Sequence, residues 1–197
     1  DVYKRQVARL KGMTPNYGER EISRMKKNEA NIKYGQSVKT ENFSIDTISA
    51  GHIPGSSMFI IEAEGKKILY TSDFSTKDSR LVKGTDVSKI PDIDILIMES
   101  TYSSRDHPPR AETEKNLIDM VRDTIDNGGV ALIPAFAIGR SAEIMMALNS
   151  GKRNYPVYLD GMAKKATQIA MEFPDFLADP QALERAFNNT TMITNNE

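Results

Sequence analysis

The sequence predicts an α/β fold in two unlike halves, and three observations carry that reading. Residues 43–73 read as short consecutive strands with a tight turn between two of them. From residue 93, apolar runs of strand length alternate with stretches of helical period. Short polar motifs follow those apolar runs directly, where parallel α/β sheets carry their sites.

Composition sets outer limits. The chain has 197 residues, 39% hydrophobic and 27% charged, which suits one domain or parts of two with a sizeable core and does not suit disorder. The formal net charge is −1, so any attraction to a polyanion must come from a local basic patch. There is no cysteine, which excludes disulfides and thiolate metal sites and fits a reducing compartment. No apolar run reaches the roughly 18 residues of a membrane helix, and no secretory h-region is visible. A cytoplasmic protein without membrane contact is expected. Both ends look cut: "DVYKRQ" lacks Met and reads as an assembly scar, and "TTMITNNE" reads as a strand and the loop leaving it.

In the first half, "GEREISRMKKNEA" predicts a short surface helix, more a solvated face than an RNA patch. "FSIDTIS" is rich in β-formers. "SMFIIEAEGKKILYTSD" predicts two strands joined at Glu64-Gly65 as a hairpin. In the second half, "IDILIM" predicts a strand buried on both faces. The next stretch places Leu117, Ile118, Val121 and Ile125 on one helical face and stops at Asn127-Gly128. A strand "VALIP", a helix "RSAEIMMALNS" ended by Gly151, a strand "PVYLD" and a helix from about Met162 to Phe173 come next. Asp179 is the expected N-cap of a further short helix, with Pro180 at its first position, and "TMIT" is the last strand.

Glu99, Arg140 and Asp160 each follow an apolar run and are expected to line one edge; each is also an ordinary residue for a loop or cap. One of the two histidines, His52, lies in the turn "AGHIPGSS", where Gly51, Pro54 and Gly55 expose the backbone and Ser56 and Ser57 add small polar groups. A neutral imidazole presented in this way suits zinc. Asp73 follows the strand "KKILYTS" at once, and its carboxylate suits ligation or bridging of metals. The alternative is a histidine satisfied by a turn carbonyl and an aspartate opening a loop. One His and one Asp do not complete a zinc site, which takes three or four protein ligands. "GRSAEIM" starts a helix whose N–H groups, at Ser141 and beyond, suit a phosphate, with Arg140 beside them; a plain helix start with a paired Arg140 is the alternative. His107, in "SSRDHPPR", reads as a surface histidine after the Glu99 motif.

In order and spacing, "AGHIPGSS", "ILYTSDFS", "ILIMESTY", "ALIPAFAIGRSAEIM" and "PVYLDGMA" resemble the metallo-β-lactamase-fold nucleases of the β-CASP group, which include catalytic subunits of cleavage and polyadenylation factors, their archaeal relatives and RNase J. The resemblance runs from about Ile32 to Ile193. It implies the later part of a metallo-β-lactamase αββα domain over 1–98, followed over 99–197 by the first part of a parallel-sheet α/β β-CASP domain. His52 then matches a zinc ligand, Asp73 the aspartate bridging two zincs, and Glu99 the acidic motif beside the metals, so that Asp73 and Glu99 are the catalytic residues. From the helix start read above, Arg140 and Ser141 are the expected substrate-binding pair.

The implied activity is zinc-dependent RNA hydrolysis, endonucleolytic or from the 5′ end, in mRNA 3′-end processing or RNA decay. Two zinc ions are the implied cofactors of the intact parent. RNA is the implied partner, with a second copy or processing-complex subunits as protein partners. Three departures stand beside this. The family's His-x-His-x-Asp-His cluster has no counterpart in residues 1–51, which contain no histidine. Its two later histidines are expected after residue 197. Ser72 stands where the family commonly has glycine. The chain alone is therefore expected to be inactive. Two other readings stay open: a non-catalytic RNA-binding or assembly subunit of the same fold, and a metallo-β-lactamase-fold hydrolase of small esters or thioesters.

Overall fold

The structure, a computed structural model, describes residues 7–14 and 17–194. The assembly-scar reading of "DVYKRQ" and the last three residues of the chain lie outside the described residues. Two compact units are present, residues 1–33 and 34–197. In the first unit, residues 7–10 are helical and α1 spans Glu19–Lys27 with no buried residue, as expected for a solvated helix. Its start is held by the Gly18 amide, which donates to the Glu21 carboxylate at 2.7 Å.

The second unit opens with a five-stranded sheet in sequential order: β1 (Ser37–Lys39), β2 (Phe43–Ser49), β3 (Ser57–Ala63), β4 (Lys66–Tyr70) and β5 (Ile95–Ile97). The first four strands pair antiparallel, and the β3–β4 turn falls at Glu64-Gly65 as the sequence predicts. Strand β5 pairs parallel with β4, Tyr70 opposite Ile97. The apolar run at 93–98 therefore completes the first sheet and does not begin the second. The short polar strand β1 carries no apolar signal and was illegible in the sequence. Ala50, Met58, Ile60 and Leu69 form the core under this sheet.

Helices follow: α2 (Arg110–Asp126), α3 (Arg140–Leu148), α4 (Ala163–Met171) and α5 (Pro180–Asn188), with the two-residue parallel pair β6 (Tyr158–Leu159) and β7 (Thr191–Met192). Asp179 caps α5, its carboxylate accepting from the Ala182 amide at 2.8 Å. The predicted face of α2 packs as expected, Leu117, Ile118 and Ile125 beside buried Val121.

Two expectations are corrected. "IDILIM" is not buried on both faces: β5 is an edge strand, and Ile95 to Met98 are about half exposed. "VALIP" does not form a hydrogen-bonded strand. Ala131 and Ile133 pack inward while Val130 and Leu132 are 88% and 91% exposed. The alternation is that of a strand, but no described residue pairs with its backbone.

Candidate active site

Sheet register alone gathers the site. The turn containing His52 connects β2 to β3, with Ser49 opposite Ser57. Strand β4 runs back along β3, so its carboxyl end (Tyr70 opposite Phe59) returns to that turn, and Asp73 follows three residues later. Strand β5 is parallel to β4 and ends at the same level, so Glu99 emerges there too. Three residues separated by up to 47 positions in sequence (99 − 52) thus share one sheet end.

The turn is locked. The His52 and Ile53 amides both donate to Ser56 Oγ at 3.2 Å, the Ala50 amide donates to the Ser56 carbonyl at 2.9 Å, and Tyr34 Oη donates to that carbonyl at 2.6 Å. Gly51 has φ +67°, and a Cβ there would lie 2.4 Å from the Thr85 nitrogen and 2.5 Å from the Ser75 carbonyl oxygen. Only glycine lets the two loops approach this closely. Backbone bonds lace them together: Ser75 N to Ala50 O at 2.9 Å and Thr85 N to Ser75 O at 2.7 Å.

Glu99 joins the same cluster. Its carboxylate accepts from the Phe74 amide at 3.2 Å and the Thr101 amide at 3.3 Å. The Thr101 side chain first, then the Phe74 and Thr101 amides and the nearby charge of His52, hold the Glu99 carboxyl below its usual range despite slight burial. Glu99 is therefore ionised at neutral pH, beside the residue that follows Asp73 and within electrostatic reach of His52.

The side chains of His52 and Asp73 are exposed, and neither makes a hydrogen bond or ion pair among the described residues. An imidazole nitrogen and a carboxylate with free donor atoms fit part of a zinc site. Among the described residues no group of three or more His, Cys, Asp or Glu gathers to complete one.

Helix α3 abuts the turn. Gly139, which precedes it, has φ +76°, and a Cβ there would lie 2.8 Å from Ile53 Cγ2. Arg140 is exposed, and among the described residues its guanidinium has no hydrogen bond or ion pair. Ser141 differs. It is 7% exposed, and its amide (3.1 Å) and hydroxyl (2.8 Å) both donate to the Phe136 carbonyl. Its side chain fixes the helix start. Asp160 is also spoken for, accepting from the Gly161 amide at 2.6 Å and Lys164 Nζ at 3.1 Å, so it is a local cap. The His107 ring lies against Tyr102, centroids 4.3 Å apart and planes tilted by 58°, in an exposed loop.

Sequence reasoning missed Glu143. It is 8% exposed and accepts from the Leu81 amide at 2.6 Å and the Arg80 amide at 3.3 Å. A glutamate three residues into an amphipathic helix reads as solvated; only its partners, 62 and 63 positions away, reveal it.

No family model matches the chain. It is 35% identical over 185 residues to "RNase aCSPSF2" of Saccharolobus solfataricus, covering 94% of this chain and 38% of that relative. It is 40% identical over 173 residues to "RNase J-like protein" of Methanocaldococcus jannaschii, covering 84% of this chain and 41% of that relative. It is 34% identical over 155 residues to "Cleavage and polyadenylation specificity factor subunit 3" of Dictyostelium discoideum, covering 75% and 20%. The chain spans less than half the length of each of these curated relatives.

Proposed function

This chain belongs to the β-CASP group of metallo-β-lactamase-fold ribonucleases, and on that premise we propose that it is part of a zinc-dependent enzyme that hydrolyses RNA phosphodiesters in mRNA 3′-end processing or RNA decay. The observation that carries the reading is that the elements bearing His52, Asp73 and Glu99 all end at one edge of the sheet, and that the helix starting with Arg140 abuts the His52 turn. An ester or thioester hydrolase of the same fold has no need of a free guanidinium there.

In this reading His52 and Asp73 hold metal together with ligands from elsewhere in the parent polypeptide. A bound zinc pair would activate water and neutralise charge at the phosphodiester. The remaining roles belong to this chain. Arg140 draws an RNA phosphate to the site by charge, which gives a salt-dependent affinity. Glu99 stays ionised and orders the Asp73 loop through the Phe74 amide. Ser141 fixes the start of α3 and so the direction of Arg140.

The test uses the intact parent polypeptide and an internally labelled RNA, with and without a chelator. Chelator-sensitive cleavage that disappears in His52→Ala supports the reading. Cleavage indifferent to both overturns it. The position of the label in the products separates internal cutting from trimming at the 5′ end.

A further inference from the structure

We infer that Glu143 is a positioning residue that holds the Arg140 end of α3 in register with the loop following Asp73; its kinetic test rests on the ribonuclease reading, and its structural test does not.

Residues 79–82 form a peg. Leu81 and Val82 are 2% and 4% exposed and insert among Ala142, Met145, Leu183 and Ala186. The Leu81 carbonyl accepts from the Ala178 amide at 2.8 Å. Glu143, one turn after Arg140, takes the Leu81 amide on one carboxylate oxygen and the Arg80 amide on the other. The Arg110 guanidinium pairs with that second oxygen. Arg110 Nε also donates to Glu114 at 3.0 Å, and Arg80 Nε donates to the other oxygen of Glu114 at 2.9 Å. Two carboxylates and two guanidiniums therefore alternate across the peg, α2 and α3.

The peg continues directly into the site. Thr85, three residues beyond Val82, bonds to Ser75 through its amide and to the Ser49 carbonyl through its hydroxyl at 2.6 Å. Ser75 in turn bonds to Ala50. A shift of the peg along α3 would shift the Asp73 loop and the His52 turn relative to Arg140. Apolar packing of Leu81 and Val82 holds the peg in the core but tolerates sliding. A buried carboxylate satisfied only in one arrangement fixes the register. The Arg140 guanidinium has no hydrogen bond or ion pair among the described residues, so its placement depends on that register.

Three substitutions in the intact polypeptide, singly and combined, test this through kinetics on RNA, with zinc content measured alongside. Glu143→Ala should raise KM about tenfold with kcat changed less than about twofold and zinc unchanged, and Glu143→Gln, which keeps a carbonyl for the Leu81 amide, should raise KM only about threefold. In an Arg140→Ala background either change should add less than about twofold, because the two residues act as one unit. Full additivity, or equal losses in kcat and KM, overturns the inference. If Glu143→Ala does not fold, Glu143→Gln in the two Arg140 backgrounds decides alone. If the intact polypeptide cleaves no RNA, the ribonuclease reading fails, and the inference is read from amide hydrogen exchange on the 197-residue chain. Glu143→Gln should then speed exchange at Leu81 and at 138–142 together, with 57–63 unchanged. Faster exchange at Leu81 alone overturns it.

Discussion

Gly139 and Ile53 meet so closely that a Cβ on Gly139 would stand 2.8 Å from Ile53 Cγ2. The start of one helix thereby rests on the turn that presents His52. Gly139→Ala introduces both that clash and a left-handed φ that a side chain tolerates poorly. A loss of about 1–3 kcal/mol is expected in denaturant unfolding. Adding Ile53→Ala should recover the part due to the clash and leave about 1 kcal/mol due to φ. Strict additivity of the two changes would show that the contact is not tight.

Ser72 has φ +52° immediately before Asp73. Glycine adopts this left-handed backbone with less strain than serine. Ser72→Gly should raise stability slightly, by up to about 1 kcal/mol, and Ser72→Val should lower it by about 1–2 kcal/mol. Thermal unfolding of the two variants checks the ordering, and a valine variant as stable as the wild type would contradict the backbone assignment.

Asp94 ties the entry of β5 to β4. Its carboxylate accepts from Lys66 Nζ at 2.8 Å and from the Lys67 amide at 2.9 Å, and these bonds hold its carboxyl below the usual carboxylate range, the Lys66 bond first. A depressed folded pKa stabilises above the unfolded value and is lost as pH falls through the folded one. The contribution should therefore be complete above about pH 4 and fade below it. Melting of the wild type and Asp94→Asn from neutral to acid pH should show the two curves converging on the acid side. A gap that widens towards acid would reverse the sign and reject this role.

Much of this fold is legible because periodicity is local. The hairpin at Glu64-Gly65, the Asp179 cap and the apolar face of α2 depend on neighbours within a few residues. What depends on pairing partners was lost. Strand β1 has the sequence SVK and gains its identity only from β2. The apolar run at 95–98 signals burial, yet in this chain it forms an edge. In the candidate site, His52 and Asp73 are marked by glycine, proline and strand ends, whereas Glu143 gives no local sign because its partners lie on a distant loop and at the start of α2. At Ser141 the sequence shows a helix start, but not that its amide and hydroxyl are both bonded to the Phe136 carbonyl.

The 197-residue chain carries His52 and Asp73 but no completed ligand group among its described residues. An incomplete shell forfeits most of the free energy of metal binding. Purified chain should retain little or no zinc after gel filtration and should not cleave RNA. Chelator-sensitive cleavage by the chain alone, abolished by His52→Ala, would contradict this expectation.

Asp73→Asn in the intact polypeptide, assayed on one preparation for zinc content, RNA affinity at two salt concentrations and cleavage rate, bears on the two-metal ribonuclease reading itself. A neutral amide is a poor substitute for a carboxylate between two cations, whereas RNA affinity comes mainly from cationic contacts to phosphate. The expected result is lost cleavage and reduced zinc with RNA affinity and its salt dependence nearly unchanged. An Asp73→Asn protein that keeps two zincs and cleaves RNA at a near-normal rate would contradict it.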